Sequence, residues 1–250
     1  LVHGAWHGGW CWWKVEPLLR QSGGAVYAPS LTGMGERSHL AGYIDPAAIN
    51  LDLHIKDVRE LLESEGLEEV ILVGHAYAGM VITGVAEVCP QRLDHLVYVN
   101  GVVPRDGEAM VDQLDAVRGP DFTARVRAAI DNREEFLRPP STVEEIRRRW
   151  GITDPEDQSR VLPRLRPQSV ASFAQPVRLG SSEALEISRS FILSRESGFD
   201  PVAERVRQSD WGLYQLDTGH DPMITKPREV ARSEERRVGK ECRSRWSPYP

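Results

Sequence analysis

A chain of 250 residues, 40% hydrophobic and 27% charged, is long enough to bury one full core as a single domain. Its net charge of −6 gives no electrostatic reason to expect nucleic acid or an anionic membrane surface as a partner, and no apolar run approaches the roughly 20 residues of a membrane span. Three cysteines (Cys11, Cys89, Cys242) lack metal-ligand spacing and cannot build a disulfide framework, so no metal site and a reduced, cytoplasmic setting are expected.

Leu1-Val2 reads as the end of a strand running into the glycine-rich His3-Gly4-Ala5-Trp6-His7-Gly8-Gly9. There is no secretory signal pattern, and the absence of an initiator methionine leads us to expect missing upstream residues. A helix follows with Trp13, Val15, Leu18 and Leu19 on its apolar side, stopped by Gly23-Gly24, and Ala25–Ala28 reads as a short strand. Ile55, Val58, Leu61 and Leu62 recur at helical spacing over 51–66. Val70-Ile71-Leu72-Val73 is an unbroken apolar run, the pattern of a strand covered on both faces of a parallel sheet. A helix from Tyr77 to about Cys89 and a strand at Leu96–Val99 continue the alternation, which predicts a doubly wound, mostly parallel α/β sheet.

From 105 to 180, Pro, Arg and acidic residues interrupt short helical stretches such as Phe122–Ile130 and Val143–Trp150, with no strand-like run. This segment is expected to be a helical lid inserted into a core formed by 1–104 and 181–231. Strand signals return at Ser190–Leu193 and Gly212–Leu216.

Three segments carry chemistry. Gly74-His75-Ala76-Tyr77-Ala78-Gly79 lies between a buried strand and a helix, the context of a Gly-x-Ser-x-Gly nucleophile elbow, and its centre is alanine, which has no lone pair with which to attack a carbonyl. His3-Gly4-Ala5-Trp6 follows the opening strand, where such a fold supplies one oxyanion donor; the backbone N–H groups of Ala5 and Tyr77 are the candidate pair. Thr218-Gly219-His220-Asp221 follows the last strand, where a general base belongs, and makes His220 the candidate. Of the other histidines, His54 and His95 read as ordinary surface residues, His75 as shaping the pocket, and His39 as a loop residue within reach of the lid.

These blocks, with Leu1–Trp12, Leu31–Leu40 and Asp217–Met223, resemble the plant methylesterase and hydroxynitrile lyase group of α/β-hydrolases and its bacterial relatives. The resemblance runs in order through 1–230 and is weakest across the lid. It implies a lidded, mostly apolar pocket, no cofactor, and hydrolysis of a small hydrophobic ester, lactone or related carbonyl compound by acyl transfer. A homodimer is left open. Trp6 is a candidate substrate-binding residue; Trp10, Met80, Trp150 and Phe173 are candidates for the pocket wall or for plain core. One pattern of the group places the triad acid after the strand following the lid, where Glu196 stands with Asp200 nearby. Another branch places it after the strand preceding the lid, where this chain has Asn100.

Alanine at 76 has two readings. It is a serine hydrolase disabled by a Ser-to-Ala change, or it belongs with members of the superfamily that lack the serine and act as lyases, decarboxylases or binders of a hydrophobic carbonyl ligand. The intact surroundings of Ala76 favour the first, and Asn100 lends support to the second. Residues 232–250 have neither a helical face nor strand alternation, resemble the conceptual translation of a sequencing-adapter oligonucleotide, and are expected to be foreign to the fold.

Overall fold

The computed structural model describes residues 1–232; the expectation for the tail beyond them, Cys242 included, lies outside the described residues. In chain order the first half holds α1 (Glu16–Gln21), α2 (Leu51–Ser64), β1 (Val70–His75), α3 (Ala78–Val88) and β2 (Leu93–Val99). The middle holds α4 (Met110–Arg118), α5 (Pro120–Asp131), β3 (Phe136–Leu137), α6 (Val143–Trp150), α7 (Pro155–Val161), β4 (Gln168–Ser169) and α8 (Val170–Ala174). The last part holds α9 (Ser182–Glu186), β5 (Ser188–Ser194), α10 (Asp200–Arg207), β6 (Gly212–Leu216) and α11 (Pro222–Thr225).

The main sheet has the order β1-β2-β5-β6, every pair parallel, as the alternation of strand and helix signals requires. Successive strand residues face opposite sides, and both sides are packed. Leu72, Leu96, Tyr98, Phe191 and Leu193 join a core built with residues of α2, α3, α4 and α10, whereas Val73, Val97, Val99 and Ile192 join one built with Trp12, Met223 and Ile224. Double-sided burial is why these strands read as continuous apolar runs.

Val2 extends the sheet beyond β1 by a single parallel bridge to Gly74. The expected strand at Ala25–Ala28 does not form: the segment is irregular, and the Tyr27 carbonyl is taken by the Leu1 amine at 2.7 Å rather than by a ladder. The middle segment is helical as expected but also carries the antiparallel two-residue pair β3–β4, too short to leave a pattern in sequence. It meets the C-terminal end of the fold closely. A Cβ on Gly219 would stand 2.5 Å from the Trp150 carbonyl oxygen, so the approach of α6 to the His220 loop requires glycine there. Among the described residues no helix is long and apolar enough to cross a membrane.

Candidate active site

Three non-glycine residues with left-handed backbone stand at the C-terminal ends of the first strands: Trp6 (φ 65°), Ala76 (φ 50°) and Asn100 (φ 42°). Such conformations cost of order 1–3 kcal/mol and persist where the surroundings over-determine them, commonly at functional sites. Ala76 turns β1 sharply into α3. Its N–H donates to the Val99 carbonyl (3.2 Å), and its own carbonyl accepts from the N–H groups of Gly79 (3.1 Å) and Val102 (3.1 Å). A Cβ on Gly79 would lie 2.0 Å from the Val102 oxygen, so the helix can begin this close to the next loop only with glycine there. The turn has the geometry of a nucleophile elbow with a methyl group at its tip.

The cavity above Ala76 is lined by Ala5, Trp6, His75, Tyr77 and His220 from the core and by Met110, Leu114, Arg118, Phe122, Trp150 and Phe173 from the middle segment. Its volume is about 30 Å³, room for a few water molecules. Neither the Ala5 nor the Tyr77 N–H donates to an acceptor among the described residues, so two backbone donors remain unspent beside the cavity. The Tyr77 ring is held by stacking on Phe173 and by donating its hydroxyl hydrogen to His54 Nδ1 at 2.8 Å. Trp6 donates its N–H to Gln168 Oε1 (3.3 Å) and its indole N–H to the Leu137 carbonyl (3.3 Å), tying the glycine-rich loop after Val2 to the middle segment. Of the other candidates for the wall, Trp150 and Phe173 line the cavity; Met80 is core, and Trp10 stacks on His7.

His220 is buried at 2% exposure and stacked on Phe199, ring centroids 5.2 Å apart. Burial, together with the Arg118 charge, holds its pKa well below the ordinary imidazole value, so the ring is neutral at pH 7. Its Nδ1 has no hydrogen-bond partner among the described residues. Glu196, expected as the triad acid, is exposed on the loop after β5; its N–H reaches the Thr218 carbonyl (3.2 Å), but its carboxylate accepts no hydrogen bond from His220 or any other described group. Asp200, its neighbour, is exposed in the first turn of α10. Asn100, the other acid position, is fully buried and does reach the His220 segment. Its amide nitrogen donates to the His220 backbone carbonyl (2.9 Å) and to Ser194 Oγ (2.9 Å), and its oxygen accepts from the Ser194 N–H (2.7 Å). It anchors the loop and leaves the imidazole without an acceptor.

A carboxylate that sequence reasoning did not single out lies behind the site. Asp221 is wholly buried, with Oδ2 3.1 Å from His7 Nε2 and Oδ1 3.5 Å from His75 Nε2. His7 Nδ1 faces the Ala5 carbonyl at 2.8 Å, so both ring nitrogens stand opposite oxygen acceptors. The His7–Asp221 pair couples the glycine-rich loop after Val2 to the His220 loop. His75 donates from Nε2 to the His220 carbonyl (3.0 Å), and burial lowers its pKa to about 4. The adjacency of Asp221 to His220 in the chain was the only sequence signal for this network. His75, His220 and Asp221 are also the one His/Asp group among the described residues whose ligand atoms converge, within 4.8 Å.

His54 and His95, expected at the surface, are instead buried, at 0% and 1% exposure. Each finds two partners: His54 the Tyr77 hydroxyl and the Thr32 carbonyl, His95 the hydroxyls of Ser188 and Ser190. Satisfied hydrogen bonds are what make a buried imidazole affordable, and residue type alone does not reveal them. His39 is exposed and donates to the Glu36 carbonyl.

Residues 1–233 match the family described as "Alpha/beta hydrolase family". The chain is 35% identical, over 92% of its length and 95% of the relative's, to the carbendazim hydrolyzing esterase of Nocardioides sp. (strain SG-4G). It is 38% identical to the alpha-hydroxynitrile lyase of Arabidopsis thaliana over 109 residues, 42% of this chain and 39% of that one. Among solved structures it is similar to an Arabidopsis methylesterase, with TM-score 0.71 and 25% identity over 95% of this chain and 98% of that one. Its relatives include carboxylic ester hydrolases. The chain belongs to the alpha/beta hydrolase family.

Proposed function

We propose that the cavity binds the carbonyl group of a small, largely apolar compound and promotes cleavage beside that group without an acyl-enzyme, as a lyase or decarboxylase. One observation carries this reading. Both polar groups that acyl transfer consumes are missing, an oxygen at 76 and an acceptor on His220 Nδ1, while the groups that polarise a carbonyl remain. The N–H groups of Ala5 and Tyr77 take up negative charge as it develops on the carbonyl oxygen, and neutral His220 relays to carbon a proton drawn from water, one ring nitrogen receiving it as the other gives it up. A β-keto acid suits these parts. Loss of CO₂ leaves an enolate whose oxygen needs the two N–H groups, and one proton added at carbon completes the ketone. The partial likeness to a hydroxynitrile lyase points the same way. Residues 105–180 act as a lid, since a cavity of about 30 Å³ admits a ligand larger than a few waters only if that wall yields.

The second reading is a serine hydrolase of small esters or lactones, disabled at position 76. The elbow geometry of Ala76 and the likeness to an esterase along nearly the whole chain favour it. Turnover of 3-oxohexanoate separates the two. The chain should accelerate CO₂ release, and His220→Gln should lower kcat/KM at least about a hundredfold, the smaller end of general acid–base contributions. No acceleration by the unaltered chain, with ester hydrolysis appearing in Ala76→Ser alone, would transfer the assignment to the second reading.

A further inference from the structure

The cavity contains a charge that an apolar carbonyl compound does not call for. Arg118, the last residue of α4, lines it together with Ala76 and His220. Its guanidinium lies over the Phe199 ring at 5.6 Å and reaches one acceptor, the Ser197 carbonyl, at a long 3.5 Å. No acidic side chain comes within ion-pair distance of it among the described residues. Arg118 is half-buried; a guanidinium carries five donors, and one drawn partly out of water is ordinarily paired with a carboxylate. Burial draws its pKa down to about 10, which leaves it a cation at pH 7. Its place at a helix C-terminus explains a favourable dipole contact of a few tenths to about 1 kcal/mol, which an arginine turned to solvent would also gain. That placement does not explain a side chain directed into the cavity.

We propose that Arg118 determines the specificity of this site by selecting carbonyl compounds that bear a carboxylate. The inference rests on the reading that Ala5 and Tyr77 hold the carbonyl, and it adds the second point of attachment. The carbonyl would lie at the Ala76 end and the acid against the guanidinium, whose planar fork matches a carboxylate. The apolar walls Leu114, Phe122 and Trp150 would cover the carbon chain between them. Such a pair stabilises the bound acid rather than departing CO₂. Arg118 therefore acts on binding, and its loss should raise KM for a β-keto acid without lowering kcat.

Titration of two unreactive methyl ketones of equal carbon number, 4-oxopentanoate and 2-pentanone, followed by calorimetry at low salt, tests this. In the unaltered chain the keto acid should bind at least about tenfold more tightly, as expected for a charge-assisted pair. In Arg118→Gln the keto acid should fall to the level of the ketone while the ketone is unchanged, and Arg118→Lys should recover part of the gap. A thermal melt of each variant separates loss of binding from loss of fold. Equal affinity of the two ligands in the unaltered chain, or an equal loss of both in Arg118→Gln, overturns the assignment of Arg118. Ketone binding that persists in that case leaves the carbonyl site standing, whereas binding of neither ligand overturns both.

Discussion

Ala76→Ser alone should hydrolyse p-nitrophenyl butyrate slowly, and adding Asn100→Asp should raise the rate by a factor of about 10³–10⁴. A serine at 76 supplies the atom whose removal from a triad costs roughly a million-fold, but it would face a histidine that nothing orients. His220 Nδ1 has no acceptor, and deprotonating the serine would create a buried imidazolium beside the Arg118 cation. Replacing the acid of a triad by its amide costs about 10⁴ with the geometry intact, which sets the scale of the gain. Asn100 is the position to change because it already touches the His220 backbone and Ser194. A carboxylate there cannot donate to the His220 carbonyl and is repelled by it; one oxygen keeps the Ser194 N–H, and the other can take the imidazole N–H once the loop shifts towards it. Burst-phase hydrolysis by Ala76→Ser with less than a tenfold gain from Asn100→Asp would mean that His220 obtains its acid elsewhere. Glu196→Gln should then abolish the activity.

The second large effect is on stability against acid. His3, His54, His75 and His220 are buried and neutral, and desolvation is the largest cause of the lowered pKa in each: about 3 for His3, about 4 for His54 and His75, and well below the ordinary value for His220. The unfolded chain titrates its histidines near 6.5, so between that pH and the folded values it binds protons that the folded chain refuses. Stability is therefore full above about pH 7 and is lost as pH falls from 6.5 towards 4. Each histidine contributes at most about 1.4 kcal/mol per pH unit within that window. Urea midpoints measured at steps from pH 7.5 to 4.5 should stay level at first and then drop steeply. A midpoint unchanged down to pH 5 would mean that these rings accept protons in the folded state, contrary to their burial.

The fold was readable where burial leaves a strong period. The apolar runs at Val70–Val73 and Gly212–Leu216 became β1 and β6, and Val143–Trp150 became α6 at the expected residues. Ala25–Ala28 misled because four apolar or small residues can pack as irregular chain as well as pair. The meeting of Ala76, Tyr77, Ala5 and His220 at one cavity was legible because a sharp strand-to-helix turn, a glycine-rich loop and a histidine loop each need a fixed backbone geometry and leave small residues at fixed spacing. Glu196 was not, since whether a loop carboxylate turns inward depends on packing that the loop's own residues do not encode. Arg118 and Asp221 escaped for a related reason. One is a single cation in a polar helix, the other an ordinary acid beside a histidine, and only the tertiary fold brings the first to the cavity wall and the second behind it. The burial of His54 and His95 likewise rests on partners 22 to 95 positions away.

The most direct test of a site that polarises a carbonyl without attacking it is the carbon-13 chemical shift of a carbonyl-labelled 2-pentanone bound to the unaltered chain. Two unspent N–H groups at Ala5 and Tyr77 should move the bound carbonyl resonance downfield of its position in water, with no tetrahedral carbon appearing. A bound resonance at or upfield of the aqueous value would contradict the account, because the donors would then not be engaging the carbonyl at all.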